Sequence, residues 1–519
     1  MITITGGVNL VKKVPLKKLF IGNIDGEDEA AREDFNQLFY TKNRKFDEIM
    51  RPEKFIIAGR KGSGKTILAK YVHNKVNENK GSYCEISTKN DYTLRKLIDL
   101  PNRELKREEI SHFCKWTFLI KFCDVILDDA KWKKKMPGTA EFKLYKFRKK
   151  IHTDNIFKIK DFSESFGSKS ALKADLKTKL PKELGIAATR EDNAQVSTNY
   201  IPKEYFELLG QLEKLLFKCI KNKKDKEIVL IYDDLDELEE KIGGDSFYHR
   251  ALIAMIETVK NLNLVFRDLG KKNTKIILLL RSDIIDEIHK FSANSNKFVT
   301  ESKVNLYWID KNYEGADHPL MEMILNKIQK SVKEYESLSK DELYQLVFSN
   351  QINEKDIISY LLDYSFGRPR DITWYLNLII QKTPEAIAFN PKAVKSCAQD
   401  YSKWFYAELE NEISINENKS MLLDGLQLIN DLKKVSFNYS MIEKYFNEKS
   451  EFYPNIKNLK ETMRHLYKIG VIGNSWRHKK DGNTHIYRYA WGYRDDAISN
   501  PNFSQYFVVH YGLRKYFSI

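Results

Sequence analysis

The chain has 519 residues, 42% of them hydrophobic and 31% charged, a composition ordinary for soluble globular proteins. This length allows roughly three or four domains, each with its own core. No apolar run approaches the ~18 residues that a membrane-spanning helix needs, and the first residues lack the pattern of a secretory signal. We therefore expect a cytoplasmic protein without membrane contact.

The formal net charge is +15 and the sequence pI is about 9.1. A basic surface favours a polyanionic partner, most often nucleic acid. The chain is also rich in lysine, asparagine, isoleucine and aromatic residues, and such a composition makes every surface basic without a specific partner. The five cysteines lack C-x-x-C spacing, so neither a zinc site nor a disulfide framework is indicated.

Residues 20–30 pass from an apolar to an acidic stretch, and a helical pattern follows over 31–40. Acidic residues at a helix start complement the helix macrodipole, which is one interpretation of this stretch. The other interpretation is a place beside a bound nucleotide base.

Residues 59–66 fit the phosphate-binding pattern G-x-x-x-x-G-K-[ST]. An apolar run at 55–58 predicts a buried strand before the pattern, and 67–72 predicts a helix after it. Glycines let backbone N–H groups turn toward phosphates, and the start of the helix adds partial positive charge. The sequence thus predicts a nucleotide site in which Lys65 reaches the β- and γ-phosphates and Thr66 binds Mg²⁺. The predicted binding residues are Gly59, Gly62, Ser63, Gly64, Lys65 and Thr66.

A second strand is predicted at 82–87, and helical periodicity extends over 103–130. The composition then changes, because residues 131–200 are rich in lysine and poor in strand signals. We interpret this stretch as a partly helical insertion. It serves either as a solvated face or as a nucleic-acid contact.

An amphipathic helix at 201–221 leads into residues 228–237, four apolar residues that run into acids. This is the Walker B arrangement, in which a buried strand delivers a carboxylate to the nucleotide site. Asp233 is predicted to hold Mg²⁺, and Asp234 to act as the base that polarises the attacking water. The pattern N-K-x-D at 222–225 precedes this strand, where guanine recognition is not expected.

Residues 275–280 predict a further buried strand, placed between the other two motif strands, with Arg281 or Ser282 facing the γ-phosphate. A last strand is predicted at 304–308. Helices follow from 319 to 380, interrupted by a Gly-Arg-Pro-Arg turn. The second arginine of that turn, Arg370, is a candidate lid cation.

The last quarter opens with a long helix from 391 and continues with a helix over 455–469. A strand, a turn at 480–483 and a strand over 486–491 follow, which is the order of a winged helix. Its wing contains Arg477, His478, Lys479 and Lys480, a basic set that suggests phosphate contact. Trp476 and Trp491 favour protein contact instead, and both alternatives stay open.

With these motifs in place, the chain resembles the AAA+/STAND superclass of P-loop ATPases, in particular KAP-like and initiator-like branches with a C-terminal winged helix. It also resembles a bacterial P-loop ATPase family associated with phage defence. The resemblance implies Mg-ATP bound between a core and a lid, with Arg281 in the sensor-1 place. Arg370 matches a sensor-2 arginine, while Gly367–Pro369 matches the STAND G-x-P turn. Asp234 stands where a glutamate is usual, which implies slow or regulated turnover.

The fold expected is α/β, a P-loop parallel sheet with a helical lid, a helical linker and a winged helix. The predicted segments are an N-terminal segment on the core (1–50), the ATPase core (51–310) with its insertion (131–200), the lid (311–385), the linker (386–430) and the winged helix (431–519). The function expected is an ATP-driven switch acting as a homo-oligomer or with a separate effector. An ATP-gated DNA-binding initiator and a scaffold with little hydrolysis are the alternatives.

Overall fold

The structure is a computed structural model. It describes residues 12–88, 107–150, 201–223, 226–233, 235, 246–291, 299–310, 312–348, 351–352, 355–414, 416, 418–479, 485–494 and 500–519. No helix among these residues is long and apolar enough to cross a membrane.

The helices are, in chain order, α1 (Gly26–Ala30), α2 (Phe35–Leu38), α3 (Lys45–Met50), α4 (Lys65–Glu78), α5 (Arg107–Asp129), α6 (Ala140–Lys150), α7 (Ile201–Asn222), α8 (Ser246–Asp268), α9 (Ser282–Phe291), α10 (Pro319–Ser331), α11 (Lys340–Phe348), α12 (Ile357–Tyr364), α13 (Pro369–Lys382), α14 (Pro391–Ser414), α15 (Lys419–Leu432), α16 (Tyr439–Lys449), α17 (Leu459–Ile469) and α18 (Tyr511–Arg514). The strands are β1 (Ile56–Ala58), β2 (Tyr83–Ser87), β3 (Ile228–Tyr232), β4 (Lys275–Leu280), β5 (Lys303–Asn305), β6 (Ser436–Phe437), β7 (Ile472–Lys479), β8 (His485–Trp491) and β9 (Tyr506–Val509).

The chain divides into two compact units. One, here the sheet unit, comprises residues 45–58 and 68–305. The other, here the C-terminal unit, comprises residues 1–44, 59–67 and 306–519.

The sheet unit is built on five parallel strands in the order β2-β3-β4-β1-β5. β4 lies between β1 and β3, as the sequence predicted. β1, β3 and β4 are buried along their whole length. Parallel strands that are covered on both faces are typically continuous apolar runs, as these are. Helices α5, α7 and α8 supply much of the remaining core of this unit.

Two predicted elements of the sheet unit differ in extent from the structure. The last strand ends at Asn305 rather than 308, and Leu306 already belongs to the C-terminal unit. Within the predicted insertion, α6 packs against α7 with Leu144 and Phe147 buried, so one side of this helix belongs to the core. Lys143, Lys146 and Lys149 are exposed, so its other side is a solvated face. The rest of the insertion, 151–200, lies outside the described residues.

Lys275, the first residue of β4, fixes the segment that leads into β1. Its side chain is buried, and Nζ donates to the carbonyl oxygens of Ile49 at 2.5 Å, Arg51 at 2.9 Å and Lys54 at 3.2 Å. One ammonium group therefore satisfies three backbone acceptors at the end of α3 and just beyond it. This holds the chain in place immediately before β1 begins.

The C-terminal unit has one hydrophobic core that spans the segments predicted as lid, linker and winged helix. Tyr375 of α13 stacks on Tyr401 of α14 at 4.3 Å between ring centroids, and Phe405 stacks on His510 at 4.9 Å. The three segments are thus packed together rather than separated by exposed linkers.

The N-terminal segment was expected on the ATPase core, but its apolar side chains pack in the C-terminal unit. Val14, Leu16, Leu19 and Ile21 belong to that core. The backbone N–H of Val14 donates to the Tyr335 hydroxyl at 3.0 Å. The helix predicted over 31–40 is reduced to α2, while α1 begins earlier with an aspartate cap.

A second sheet, in the order β6-β9-β7-β8, closes the C-terminal unit. Helix α17 ends at Gly470 in a left-handed conformation with φ +90°, and the predicted hairpin of β7 and β8 follows. β9 pairs with both β6 and β7, a strand that the sequence analysis missed. The turn at 480–483 lies outside the described residues.

Lys275→Met keeps the apolar stem of the side chain and removes its three donors. Each buried carbonyl left without a partner costs about 1–3 kcal/mol. We expect faster amide hydrogen exchange in residues 45–58, measured by mass spectrometry on the full chain. The control is Lys272→Met, which changes an exposed lysine of the preceding turn. Equal protection in both variants would contradict the role given to Lys275.

Candidate functional site

The glycine loop of residues 59–66 connects β1 to α4. Gly62 and Gly64 have φ values of +79° and +96°, in the left-handed region that favours glycine. Helix α4 begins at Lys65, so the loop leads directly into a helix N-terminus, the end of a helix that attracts anions. Lys65 Nζ donates to the carbonyl oxygens of Gly59 at 3.1 Å and Arg60 at 3.3 Å. The loop is therefore a compact turn folded around its own lysine.

Two further contacts close this turn. A Cβ on Gly59 would lie 2.3 Å from Ser63 Oγ, so a larger residue would displace the serine. Ser63 is buried, and its Oγ has no hydrogen-bond partner in the described part of the chain. Its carbonyl oxygen accepts from Trp308 Nε1 at 2.9 Å. Sequence analysis did not single out Trp308 for this role, because no motif marks it.

Arg368 ties the loop to α13 and α14. Its Nε is 3.0 Å from both carboxylate oxygens of Asp371, and its Nη1 donates to the Lys61 carbonyl oxygen at 3.0 Å. Nη1 also forms an ion pair with Glu412. Burial acts to lower the pKa of Arg368, but the two carboxylates hold it above its usual value. Arg368 is therefore a buried structural cation.

Arg60 joins the same cluster from within the loop. Its Nη2 donates to Glu412 at 3.1 Å, and its guanidinium lies 4.8 Å from the ring centroid of Phe366. Glu412 is thus shared by an arginine of the loop and an arginine of the following turn.

Arg370 has a different environment from Arg368, although only one residue separates them. A Cβ on Gly62 would lie 3.0 Å from Arg370 Cβ, so the first carbon of the Arg370 side chain lies close to the glycine loop. Its Nη1 is 3.5 Å from Glu408, and its buried Nε has no partner among the described residues. Arg370 therefore makes one long ion pair beside the loop, whereas Arg368 is surrounded by Asp371, Glu412 and the Lys61 carbonyl oxygen.

A cavity of about 490 Å³ adjoins Arg370 within the C-terminal unit. Its walls come from the chain entering α1, from α1 itself and from α13. They are formed by Asn23, Ile24, Asp25, Asp28, Arg370, Trp374, Asn377, Ile380 and Gln381. The lining combines apolar surface with carboxylates, amides and one cation.

A buried ion pair fixes the N-terminal wall of this cavity. Glu29 accepts from Lys327 Nζ at 2.6 Å and from the backbone N–H of Asn23 at 2.9 Å. Asn377 Nδ2 donates to the Gly22 carbonyl oxygen at 3.0 Å. The acidic stretch was interpreted from sequence as a helix cap or a neighbour of a base. In the structure one of its carboxylates is a buried anchor.

The remaining predicted site residues follow strands of the sheet unit. β1, β3 and β4 are parallel, so their carboxyl ends lie at one edge. Asp233, directly after β3, is buried, and its N–H donates to the Ser87 carbonyl oxygen at 2.9 Å. Arg281, directly after β4, is buried and pairs with Asp283, with Nε 3.0 Å from Oδ1. Asp234 lies outside the described residues.

Residues 318–410 match the family model of the FunZ-associated C-terminal helical domain. The matched region begins just before α10 and ends within α14, so it contains Arg368, Arg370 and Glu408 but not the glycine loop. No curated protein matches the chain.

Arg368→Ala should destabilise the protein, whereas Arg370→Ala should not. The first change leaves the buried carboxylate of Asp371 without its cation and leaves Glu412 with Arg60 alone, a loss of about 3–5 kcal/mol for a broken buried pair. We expect the midpoint of thermal unfolding to fall by roughly 5–15 °C, measured by circular dichroism. Arg370 is partly exposed and makes one long ion pair, so its removal should change the midpoint by less than about 3 °C. Equal losses would show that the two arginines share one role.

Proposed function

We propose that the chain is an Mg-ATP-binding and hydrolysing molecular switch. The observation that carries this proposal is the conformation of the glycine loop. Gly62 and Gly64 are both left-handed, and the loop runs from a buried parallel strand into a helix N-terminus. This is the backbone arrangement that presents N–H groups to phosphate oxygens.

The residues present fit a triphosphate. A Cβ on Gly64 would meet no atom within 4 Å, so the backbone there is open to close approach. Lys65 would transfer its ammonium from loop carbonyls to phosphate oxygens, which are stronger acceptors because they are charged. The magnesium ligands that we propose from the two sequence motifs are Thr66 and Asp233. Bound Mg²⁺ would offset charge on the phosphates.

The cavity beside Arg370 fits the rest of a nucleotide. Its volume of about 490 Å³ is within the range of small-molecule sites. Its amides and carboxylates offer hydrogen bonds to a base and a ribose. Arg370 would interact with the terminal phosphate and so distinguish ATP from ADP. This favours Arg370 over Arg368 as the arginine of the turn that responds to the terminal phosphate.

The cluster of Arg60, Arg368 and Glu412 supports a switch rather than a simple nucleotide store. A change in the conformation of the loop alters two contacts. Arg60 contacts Glu412 of α14, and the Lys61 carbonyl oxygen contacts Arg368, which caps α13. The matched helical domain contains α13 and the part of α14 up to residue 410, and it comes from a family linked to phage defence. We infer a defence role in which the switch regulates a separate effector or a further copy of itself.

Lys65→Ala should abolish ATP binding, because it removes the cation that faces the β- and γ-phosphates. The measurement is isothermal titration calorimetry with Mg-ATP on the full chain. Lys70→Ala, a lysine change on the same helix α4, is the matched control and should bind as the wild type does. An unchanged affinity in Lys65→Ala would remove the loop from the nucleotide site.

Asp234→Asn should lower kcat for ATP hydrolysis by about 100-fold or more, because the amide cannot accept a proton from water. ATP binding should stay close to that of the wild type, which separates this variant from Lys65→Ala. Phosphate release measures the turnover. Wild-type turnover in the variant would contradict the role of Asp234, and absence of turnover in the wild type would favour the scaffold alternative.

A further inference from the structure

One face of the C-terminal sheet carries three exposed tyrosines. Tyr489 and Tyr506 both pair with Ser475 of the strand between them, and Tyr487 pairs with Arg477. Paired residues lie on the same side of a sheet, as do residues two apart along a strand. These five residues therefore form one surface, here the tyrosine face. The exposed fractions are 56% for Tyr487, 41% for Tyr489 and 53% for Tyr506.

The rings of the tyrosine face are separate from one another. Strand geometry places Tyr487 and Tyr489 about 7 Å apart along β8, and Tyr489 and Tyr506 about 10 Å apart across β7. Ser475 between the last two is too small to fill the gap. No ring contact joins these three tyrosines in the part of the chain that the structure describes. Each ring therefore keeps surface for a planar ligand.

Cations accompany the rings. Arg477 Nε donates to the Tyr487 hydroxyl at 3.1 Å, with the guanidinium 5.6 Å from that ring's centroid. The ring of Tyr511 packs next to that of Tyr489. The Arg514 guanidinium lies 3.7 Å from the centroid of the Tyr511 ring. Among the described residues, no carboxylate is within ion-pair distance of either arginine. The described residues of this surface thus carry positive charge that no described carboxylate neutralises.

The sequence interpretation favoured a protein partner, with Trp476 and Trp491 as apolar anchors. Trp491 is only 3% exposed and packs edge-on against His510 at 5.0 Å, so it belongs to the core. Trp476 alternates to the other side of β7 from Ser475 and Arg477. Val508 lies on the same side of the sheet as Tyr506 but is buried. The exposed aromatic surface of the described residues is therefore formed by tyrosines with Arg477 beside them.

We propose that the tyrosine face binds single-stranded nucleic acid. Bases would stack on Tyr487, Tyr489 and Tyr506, and Arg477 and Arg514 would contact phosphates. Exposed aromatic side chains on a sheet, accompanied by cations, are a recurring way to hold unpaired bases without a sequence preference. This site does not depend on the proposed nucleotide switch, since it uses none of the loop residues.

The test is fluorescence anisotropy of the full chain with a labelled oligothymidylate of about 20 nucleotides, long enough to cover one such site. Tyr487→Ala and Tyr489→Ala should each weaken binding by about 5- to 150-fold, the range for loss of one stacked base. Tyr487→Phe keeps the ring and should change the affinity by less than about 3-fold. Arg477→Gln should reduce the slope of log K against log salt by about 0.7.

Tyr313→Ala is the matched control, because Tyr313 is 50% exposed but lies on no strand of this sheet. Unchanged affinity in both tyrosine-to-alanine variants, or an equal loss in the control, would overturn the proposal. So would a wild-type chain that does not bind the oligonucleotide. If the alanine variants bind normally but elute differently in gel filtration, the face is a protein interface instead. Thermal unfolding of each variant verifies that the fold is retained.

Discussion

The buried cluster of Arg368, Asp371 and Glu412 is the interaction on which the candidate site depends. A buried guanidinium is costly to desolvate, and this one is stable only because two carboxylates and a backbone carbonyl surround it. The carbonyl is that of Lys61, 307 residues away in sequence. The glycine loop is local in sequence, but its position is determined by helices near the other end of the chain.

The sequence predicted the elements whose conformation depends mainly on neighbouring residues, namely the buried strands, the glycine turn and the hairpin. The strands β1, β2, β3 and β4 are short apolar runs, and the glycines of residues 59–66 mark a turn that other residues adopt only with strain. The place of β4 between β1 and β3 could also be predicted, since the resemblance to P-loop ATPases implies that order. The hairpin of β7 and β8 follows from its alternation and its turn residues.

The sequence could not assign roles that depend on distant partners. Arg368 and Arg370 stand two positions apart in one turn, and nothing local separates them. In the structure, Arg368 pairs with Asp371 and Glu412, whereas Arg370 lies beside the cavity. Glu29 looked like a helix-start acid, yet Lys327 makes it a buried anchor. The sequence pattern correctly placed Trp491 in a strand. Only the structure shows that His510 packs against this tryptophan and covers it.

The docking of the N-terminal segment has a consequence for how the protein is made. Val14 bonds to Tyr335, which is 321 residues later in the chain. At about 5–20 residues per second, synthesis of the intervening chain takes roughly 15–65 s. During that time Leu16, Leu19 and Ile21 lack the helices that bury them. The N-terminal segment thus waits for helices that are synthesised much later, and its apolar residues stay accessible to chaperones during that interval.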